Sequence, residues 1–578
     1  MRISVLRGVA VFRNSAAAIS ALVLTLGLSS GYADADSGGY NLEFGPPPLT
    51  RTADPGQPSP VPADIAAQRL EWKPCAATGL QDLLDGQVPA AARTALLDGL
   101  ECASVRTPLD WSDPAGPSAS FEISRLPGRG ARRPLLTTTG GPGAGTMLNP
   151  IQWATALPEL RDSYDLIGFD ARGTRLSSTA ADCDENSSGD PQLLATGRND
   201  GADILDFSPV SVQRQLSQAK AWIQSCVDRS ARTPSGGSTL GAVDYWQTVR
   251  DLDLVRSLLN APTWSYLGAS QGTELGLELA RTFPGQVDRM VLDSISDPAP
   301  SLADGLRDRV LQQQRAIEGD FAPWLATRAT PFGDSRDAVL AALTRMRADL
   351  TAHPLALPLD RTFSGNDLNT VLFGVDNGPY EALEQKLLTL RAAMDHPTLG
   401  ALLNVAMTFR VSPLIDVFGE HLLEAGSRVG WWTARNCNEA GWSHDLDEIV
   451  TAAQQLATQA PLTYLGMGFT AACAFWPEPH RDPNPVPLDR IASALLIGNE
   501  KDPVTPISGA RAVHAAIPDS RLITVSGVQR HLVLPETMPN GLPGSIPGIS
   551  ACATSAVIEC LAHEQLPDTD TTCQPDSR

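Results

Sequence analysis

From residue 70 onward the chain is punctuated by short apolar runs, each closed by turn residues. The runs at 133–138, 164–169, 264–267, 287–292, 492–497 and 521–525 are too short for buried helices. Their Leu, Ile, Val and aromatic content reads as strands covered on both faces. Between several of them apolar residues recur with helical period, as over 243–259 and 273–282. Strands alternating with helices predict an α/β fold, a mostly parallel sheet with helices on both faces. Residues 301–430 break that rhythm. They are rich in Leu, Ala and Arg with helical period, as over 338–350 and 380–394. They read as a helical lid inserted between two parts of the sheet domain, 70–300 and 431–578. No internal repeat is visible.

The first 69 residues follow neither pattern. Arg2, Arg7 and Arg13 precede an apolar Ala/Leu-rich run over 16–28, and Ala33-Asp34-Ala35 follows. This is the layout of a cleaved export signal over 1–35. The run is too short to span a bilayer comfortably, so no membrane insertion is expected after cleavage. Residues 36–69 form a proline-rich linker, with Pro46, Pro47, Pro48, Pro55, Pro58, Pro60 and Pro62. Such a stretch favours neither ladder nor helix and is expected as an extended surface arm.

Charge and cysteine usage agree with export. The net charge of -21 argues against nucleic-acid and anionic-membrane partners, which reward surplus Lys and Arg. Nine cysteines are present and none forms C-x-x-C, so disulfides in an oxidising compartment are expected rather than a zinc or redox motif. The protein is expected to be secreted, free or held at the cell wall. The odd count leaves one thiol over, and spacing alone does not fix the pairing.

The candidate chemistry centres on Gly268-Ala269-Ser270-Gln271-Gly272. A G-x-S-x-G match alone is weak: about 0.2 are expected by chance in a chain of this length. Here an expected strand precedes it and an expected helix follows it, the context of a nucleophile elbow. The Gln271 amide would open the helix and suit an oxyanion. A second amide is expected from the glycine loop Gly140-Gly141-Pro142-Gly143, at Gly141 with Gly140 as near rival. No G-K-[ST] follows, so a phosphate loop is not indicated. An acid and a histidine should come later, in that order. Asp502 follows the expected strand 492–497, with Glu500 as rival, and His531 follows 521–525, with His514 and His563 as weaker candidates. A Ser270–His531–Asp502 triad needs no metal and no organic cofactor.

At this point the chain resembles the secreted tripeptidyl aminopeptidases of actinobacteria, relatives of the prolyl aminopeptidases in the α/β-hydrolase superfamily. The likeness runs from about Trp72 to Cys573. It is carried by Glu101–Trp111, Gly140–Gly143, the D-x-R-G-T signature at 170–174, the elbow, Met290–Asp293, Cys437-Asn438-Glu439, Cys473–Pro477 and the closing Cys552 to Cys573. The resemblance implies the disulfides Cys75–Cys102, Cys183–Cys226, Cys437–Cys473 and Cys552–Cys573, with Cys560 left as a buried thiol. It implies a serine exopeptidase acting on peptide or protein N-termini and releasing tripeptides. Glu439 would receive the substrate ammonium, with a second carboxylate from the helical insertion and with Trp431, Trp432 and Trp442 crowding the region. An extracellular carboxylesterase or lipase with the same triad is the alternative; it has no use for an ammonium anchor. A fold that had lost catalysis would lack a triad member, and none is missing. Four positions depart from the family pattern. Arg175 and Leu532 stand where glycines are usual, and Gln271 where an aromatic is usual. Arg530 likewise replaces the glycine ahead of the histidine.

Overall fold

A computed structural model describes residues 61–576 apart from 85–92, 95, 131–132, 141–145, 184–201, 298–301, 359–360, 376–379, 410–426, 440, 482–483, 485 and 536–547. The expected export signal, most of the linker and Gly141 lie outside the described residues. The linker's end does not behave as an extended arm. Ala63–Ala66 forms a short helix with Ile65 buried, and Gln68 bonds the backbone of Arg106 in both directions, at 2.8 and 2.9 Å. Helical ordering resumes as soon as the prolines stop at Pro62.

Twelve strands are described: β1 (Lys73–Pro74), β2 (Glu101–Pro108), β3 (Ser118–Leu126), β4 (Arg133–Thr138), β5 (Tyr164–Phe169), β6 (Trp264–Ala269), β7 (Val287–Asp293), β8 (Leu355–Leu357), β9 (Arg361–Phe363), β10 (Ala494–Asn499), β11 (Ser520–Val525) and β12 (Thr571–Cys573). Ten form one sheet in the order β1-β2-β3-β5-β4-β6-β7-β10-β11-β12. From β5 through β12 every pairing is parallel, and β1–β3 add an antiparallel edge. β8 and β9 make a separate two-stranded ribbon.

The central strands are buried along their whole length because helices cover both faces. Neighbouring residues divide between two cores. Leu136, Ile167, Tyr266, Leu292 and Leu496 join one, while Leu135, Leu166, Leu267, Val291 and Leu495 join the other. This is the period-two alternation of a pleated strand. A third core lies within the helical insertion, around Phe321, Leu343, Leu350, Leu368, Leu387 and Leu390. Helices Leu302–Ala316, Arg336–Ala352, Gly365–Phe373, Tyr380–Asp395 and Leu399–Thr408 supply most of it.

The insertion is fastened to the loops beyond β10 and β11. Gln313 donates to the carbonyl of Pro503 at 2.9 Å, Lys501 pairs with Asp320 at 3.7 Å, and Tyr380 bonds Gln529. Four disulfides are present: Cys75–Cys102, Cys183–Cys226, Cys437–Cys473 and Cys552–Cys573. Cys560 is a buried free thiol, pushed up to about 12 by desolvation. No helix among the described residues is long and apolar enough to cross a membrane.

Candidate active site

β5 and β6 flank β4 on opposite sides, so the strand order reverses between β4 and β6. Open parallel sheets place their sites at the carboxyl ends of strands beside such a reversal. There β6 ends at Ala269, and Ser270 turns sharply with φ 53° and ψ -125° before the helix Gln271–Thr282 begins. A left-handed conformation costs a non-glycine residue roughly 1–2 kcal/mol. It is held here: the Ser270 amide donates to the carbonyl of Asp293 at 2.8 Å, and Ser270's own carbonyl accepts from the Thr273 amide at 2.9 Å. Two glycines make room. A Cβ on Gly272 would run into the Thr138 side chain, and one on Gly140 would lie 2.6 Å from Ser270 Oγ. The loop after β4 therefore passes directly against the nucleophile.

The three expected triad members are brought together. His531 Nε2 lies 2.8 Å from Ser270 Oγ, and His531 Nδ1 lies 3.0 and 3.2 Å from the two Asp502 oxygens. Asp502 is 2% exposed and accepts from the amides of Val504 and Thr505, both at 2.9 Å, and from Thr505 Oγ1 at 3.0 Å. Burial pulls the His531 imidazole down. The Asp502 carboxylate and its hydrogen bond push it up, Arg309 opposes them and Asp293 supports them; the net shift is upward. An imidazolium formed when Ser270 gives up its proton is thus favoured where it arises. Gln271 is the first residue of its helix, so its amide has no acceptor within that helix.

The rivals are placed elsewhere. Glu500 accepts from the Gly527 amide at 2.7 Å and from Ser526 Oγ at 3.1 Å, closing a turn after β11. His514 bonds Ser520 and Asp570 at the sheet edge, and His563 follows the helix Ala551–Ala562.

Glu439 follows the helix Ser427–Cys437, next to the Cys437–Cys473 disulfide. Its Oε1 lies 3.0 Å from Arg435 Nε, and Arg435 Nη2 donates to Glu274 Oε2 at 2.7 Å. Arg435 is 4% exposed and lies over the Tyr245 ring at 4.1 Å. Two carboxylates therefore share one guanidinium. Desolvation raises Glu439, Arg435 works against it, and Glu274, Glu278 and Asp244 add to the rise, leaving the carboxyl pushed up to about 7. The other carboxylate on Arg435 is Glu274, which lies four residues after Ser270 on the elbow helix and not on the helical insertion. The sequence contained it within the elbow motif, but nothing marked it until Arg435 was seen to bridge the two acids.

Of the three tryptophans, Trp431 and Trp442 are buried core residues and Trp432 packs against the same core. Trp431 also lines a recess beside the elbow, with Thr139, Phe169, Tyr245, Gln271 and Leu275. The D-x-R-G-T signature is scaffold. Arg172, 1% exposed, donates to Asp251 and to the carbonyls of Leu109 and Pro108, tying the end of β2 to the helix Tyr245–Leu258. Asp170 accepts from the Leu176 amide at 2.7 Å, and burial pushes it up to about 6.

This geometry has relatives. A model of the α/β-hydrolase fold matches residues 133–379, and a model of TAP-like proteins matches residues 463–573. The sheet order, the elbow and the serine–histidine–aspartate arrangement define an α/β hydrolase, and the chain is a serine hydrolase of that class. Tripeptidyl aminopeptidase of Streptomyces lividans is 26% identical over 541 residues, 89% of each chain. Serine protease Hip1 of Mycobacterium tuberculosis is 26% identical over 487 residues, 81% of this chain and 86% of its own. Carboxylesterase B of Mycobacterium tuberculosis is 27% identical over 569 residues, 96% of this chain and 98% of its own. Over most of its length the chain is thus similar to tripeptidyl aminopeptidases and related serine hydrolases of the α/β-hydrolase fold.

Proposed function

We propose that the protein is a secreted serine exopeptidase that cleaves peptides near a free N-terminus and releases tripeptides. Ser270 Oγ attacks the scissile carbonyl carbon while His531 Nε2 takes its proton. Asp502 holds the imidazole tautomer and balances the imidazolium. The Gln271 amide and an amide of the loop after β4, assigned to Gly141, receive the oxyanion; removing one such donor typically costs about 3 kcal/mol. The C–N bond breaks as His531 delivers the proton to the leaving amine. Water, activated by the same imidazole, then hydrolyses the acyl-enzyme.

The observation that carries the exopeptidase reading is the pair of carboxylates, Glu439 and Glu274, on a single arginine near the elbow. With both acids ionised the group keeps one surplus negative charge, which a substrate ammonium can neutralise. An ester substrate has no use for it. The export reading rests on residues 1–35 together with the four disulfides. A second reading, an extracellular carboxylesterase, is favoured by the relative that spans 96% of the chain and by the Arg435 contact that already occupies Glu439.

The test is hydrolysis of a tripeptide p-nitroanilide with its N-terminus free or acetylated, beside a p-nitrophenyl ester and a Ser270→Ala control. Cleavage restricted to the free amine, with an inert control, is expected. Equal or faster turnover of the acetylated peptide or the ester transfers the assignment to the esterase.

A further inference from the structure

One residue bonds both the backbone of the nucleophile and the loop that carries the base without belonging to the triad. Asp293 ends β7 and is 1% exposed. Its main-chain carbonyl accepts from the Ser270 amide at 2.8 Å. Its carboxylate accepts from the Val533 amide at 3.1 Å on both oxygens, from the Leu534 amide at 2.8 Å and from Ser294 Oγ at 3.1 Å. Ser294 Oγ in turn accepts from the Leu532 amide at 3.0 Å. On the other side of the loop Asn499 donates to the carbonyls of Arg530 and Leu532, at 2.8 and 3.0 Å. The chain on either side of His531 is thus gripped by two buried side chains at the ends of β7 and β10.

The grip has a reason in the sequence. Leu532 sits at φ 68° and Ser294 at φ 55°, both in the left-handed region, as is Ser270. These are three of the five non-glycine residues with positive φ among the described residues, and they cluster at one sheet edge. Leu532 stands where glycine follows the histidine in the family that the chain resembles. A leucine does not hold this backbone by its own preference. Hydrogen bonds from outside must hold it, and strained backbone persists where its surroundings over-determine it.

We propose that Asp293 is a positioning residue that sets the Ser270–His531 geometry, its carbonyl fixing the nucleophile and its carboxylate fixing the loop that carries the base. Both carboxylate oxygens are engaged as acceptors from three donors, which an amide with one acceptor oxygen does not reproduce. The group has a second effect. Asp293 lies close enough to His531 to favour its imidazolium, alongside Asp502 and against Arg309. Burial pushes the Asp293 carboxyl up to about 6, with the loop amides and His531 working against that rise, so the grip is mostly charged at neutral pH and weakens in acid.

The test uses the full-length protein and reads the rate at which a fluorophosphonate labels Ser270 across pH, with kcat and KM on whichever chromogenic substrate is turned over. Asp293→Asn is expected to slow labelling and kcat about 10- to 100-fold, the scale of a misplacement near 1 Å. KM should stay within about twofold and near-UV circular dichroism should be native. The acid limb should move to lower pH, because a negative charge beside the imidazolium is gone; a purely structural role would not move that limb. Folded Asp293→Asn with the wild-type rate and an unmoved limb overturns the proposal. Should that variant not fold, Ser294→Ala decides. It removes the Leu532 amide's acceptor and should lower kcat about fivefold, the scale of one hydrogen bond. Ser294→Ala/Leu532→Gly should recover the loss, because glycine takes the left-handed conformation unaided. An unchanged kcat in Ser294→Ala, or no recovery in the double variant, overturns the proposal. It rests on the triad and holds for peptide or ester: a wild-type protein that does not label removes the triad reading itself.

Discussion

Replacing Glu439 by glutamine tests the ammonium reading at the point where the structure makes it quantitative. Glu439, Arg435 and Glu274 carry a net charge of one minus when ionised, and glutamine reduces it to zero. Two unit charges 4 Å apart attract by about 4 kcal/mol at an effective dielectric constant near 20. That is an upper figure here. Arg435 already lies 3.0 Å from the same carboxylate, and the Glu439 side chain keeps 31% of its exposure, so water screens the pair. About 1–2 kcal/mol remains, which is about 5- to 30-fold in binding. The ammonium lies away from the reacting carbon, so the loss falls on KM while kcat holds.

The same reasoning fixes a pH dependence. Glu439, raised to about 7, is an anion above that pH and a neutral acid below it. A peptide α-amino group is a cation below about 8. The free-amine peptide should therefore gain most over its acetylated counterpart between about pH 7 and 8. Dividing the two kcat/KM profiles removes the His531 titration, which both substrates share. Glu439→Gln should abolish the acid side of the ratio. A KM change below twofold for the free-amine peptide, or an equal change for the acetylated one, makes Glu439 a structural partner of Arg435 and nothing more.

Other consequences follow from the scaffold. Asp251→Asn leaves Arg172 buried without its counter-charge; removing one partner of such a pair costs about 3–5 kcal/mol, so urea unfolding should shift strongly while folded enzyme keeps its kcat. Removing the Cys437–Cys473 bridge by double serine substitution opens a 36-residue loop worth about 4 kcal/mol. Glu439 lies two residues from that bridge, so KM for the free-amine peptide should rise more than kcat falls. Asp170, raised from 3.8 to about 6, contributes stability that is present below its unfolded value and is lost as pH rises through about 6. Asp170→Asn lacks that titration, so its unfolding free energy relative to wild type should improve by up to about 3 kcal/mol from pH 3.5 to pH 7. A flat difference would show that Asp170 is not held neutral by burial.

The parallel strands were legible because both of their faces are covered. Runs such as Pro134-Leu135-Leu136 and Leu166–Phe169 are apolar, and a buried helix would need a longer apolar pattern. β3 was not recognised from its pattern: Ser118, Glu122 and Arg125 interrupt a strand with a partly exposed face. β12 is three residues of Thr and Cys, visible only once β11 is there to pair with it. The short helix at Ala63–Ala66 was hidden by the prolines just before it.

The site divides along the same line. Ser270, Asp502 and His531 were legible because each follows a recognisable strand, and a parallel sheet brings the ends of its strands to one edge. What sequence did not disclose is what holds those ends in register. Asp293 and Asn499 are the last residues of strands, where an acid or amide normally meets water, yet they are 1% and 0% exposed. The return of the chain after β11 bonds them through its backbone. The departure at Leu532 looked from sequence like a weakness in the histidine loop. In the fold it is the reverse relation: the loop does not need glycine, because its amides and carbonyls are bonded from two strands. Glu274 makes the same point at the binding end. Within the elbow it is one more polar residue of a helix start, and it becomes half of a charge-bearing pair only when Arg435, 161 residues away, is laid across it.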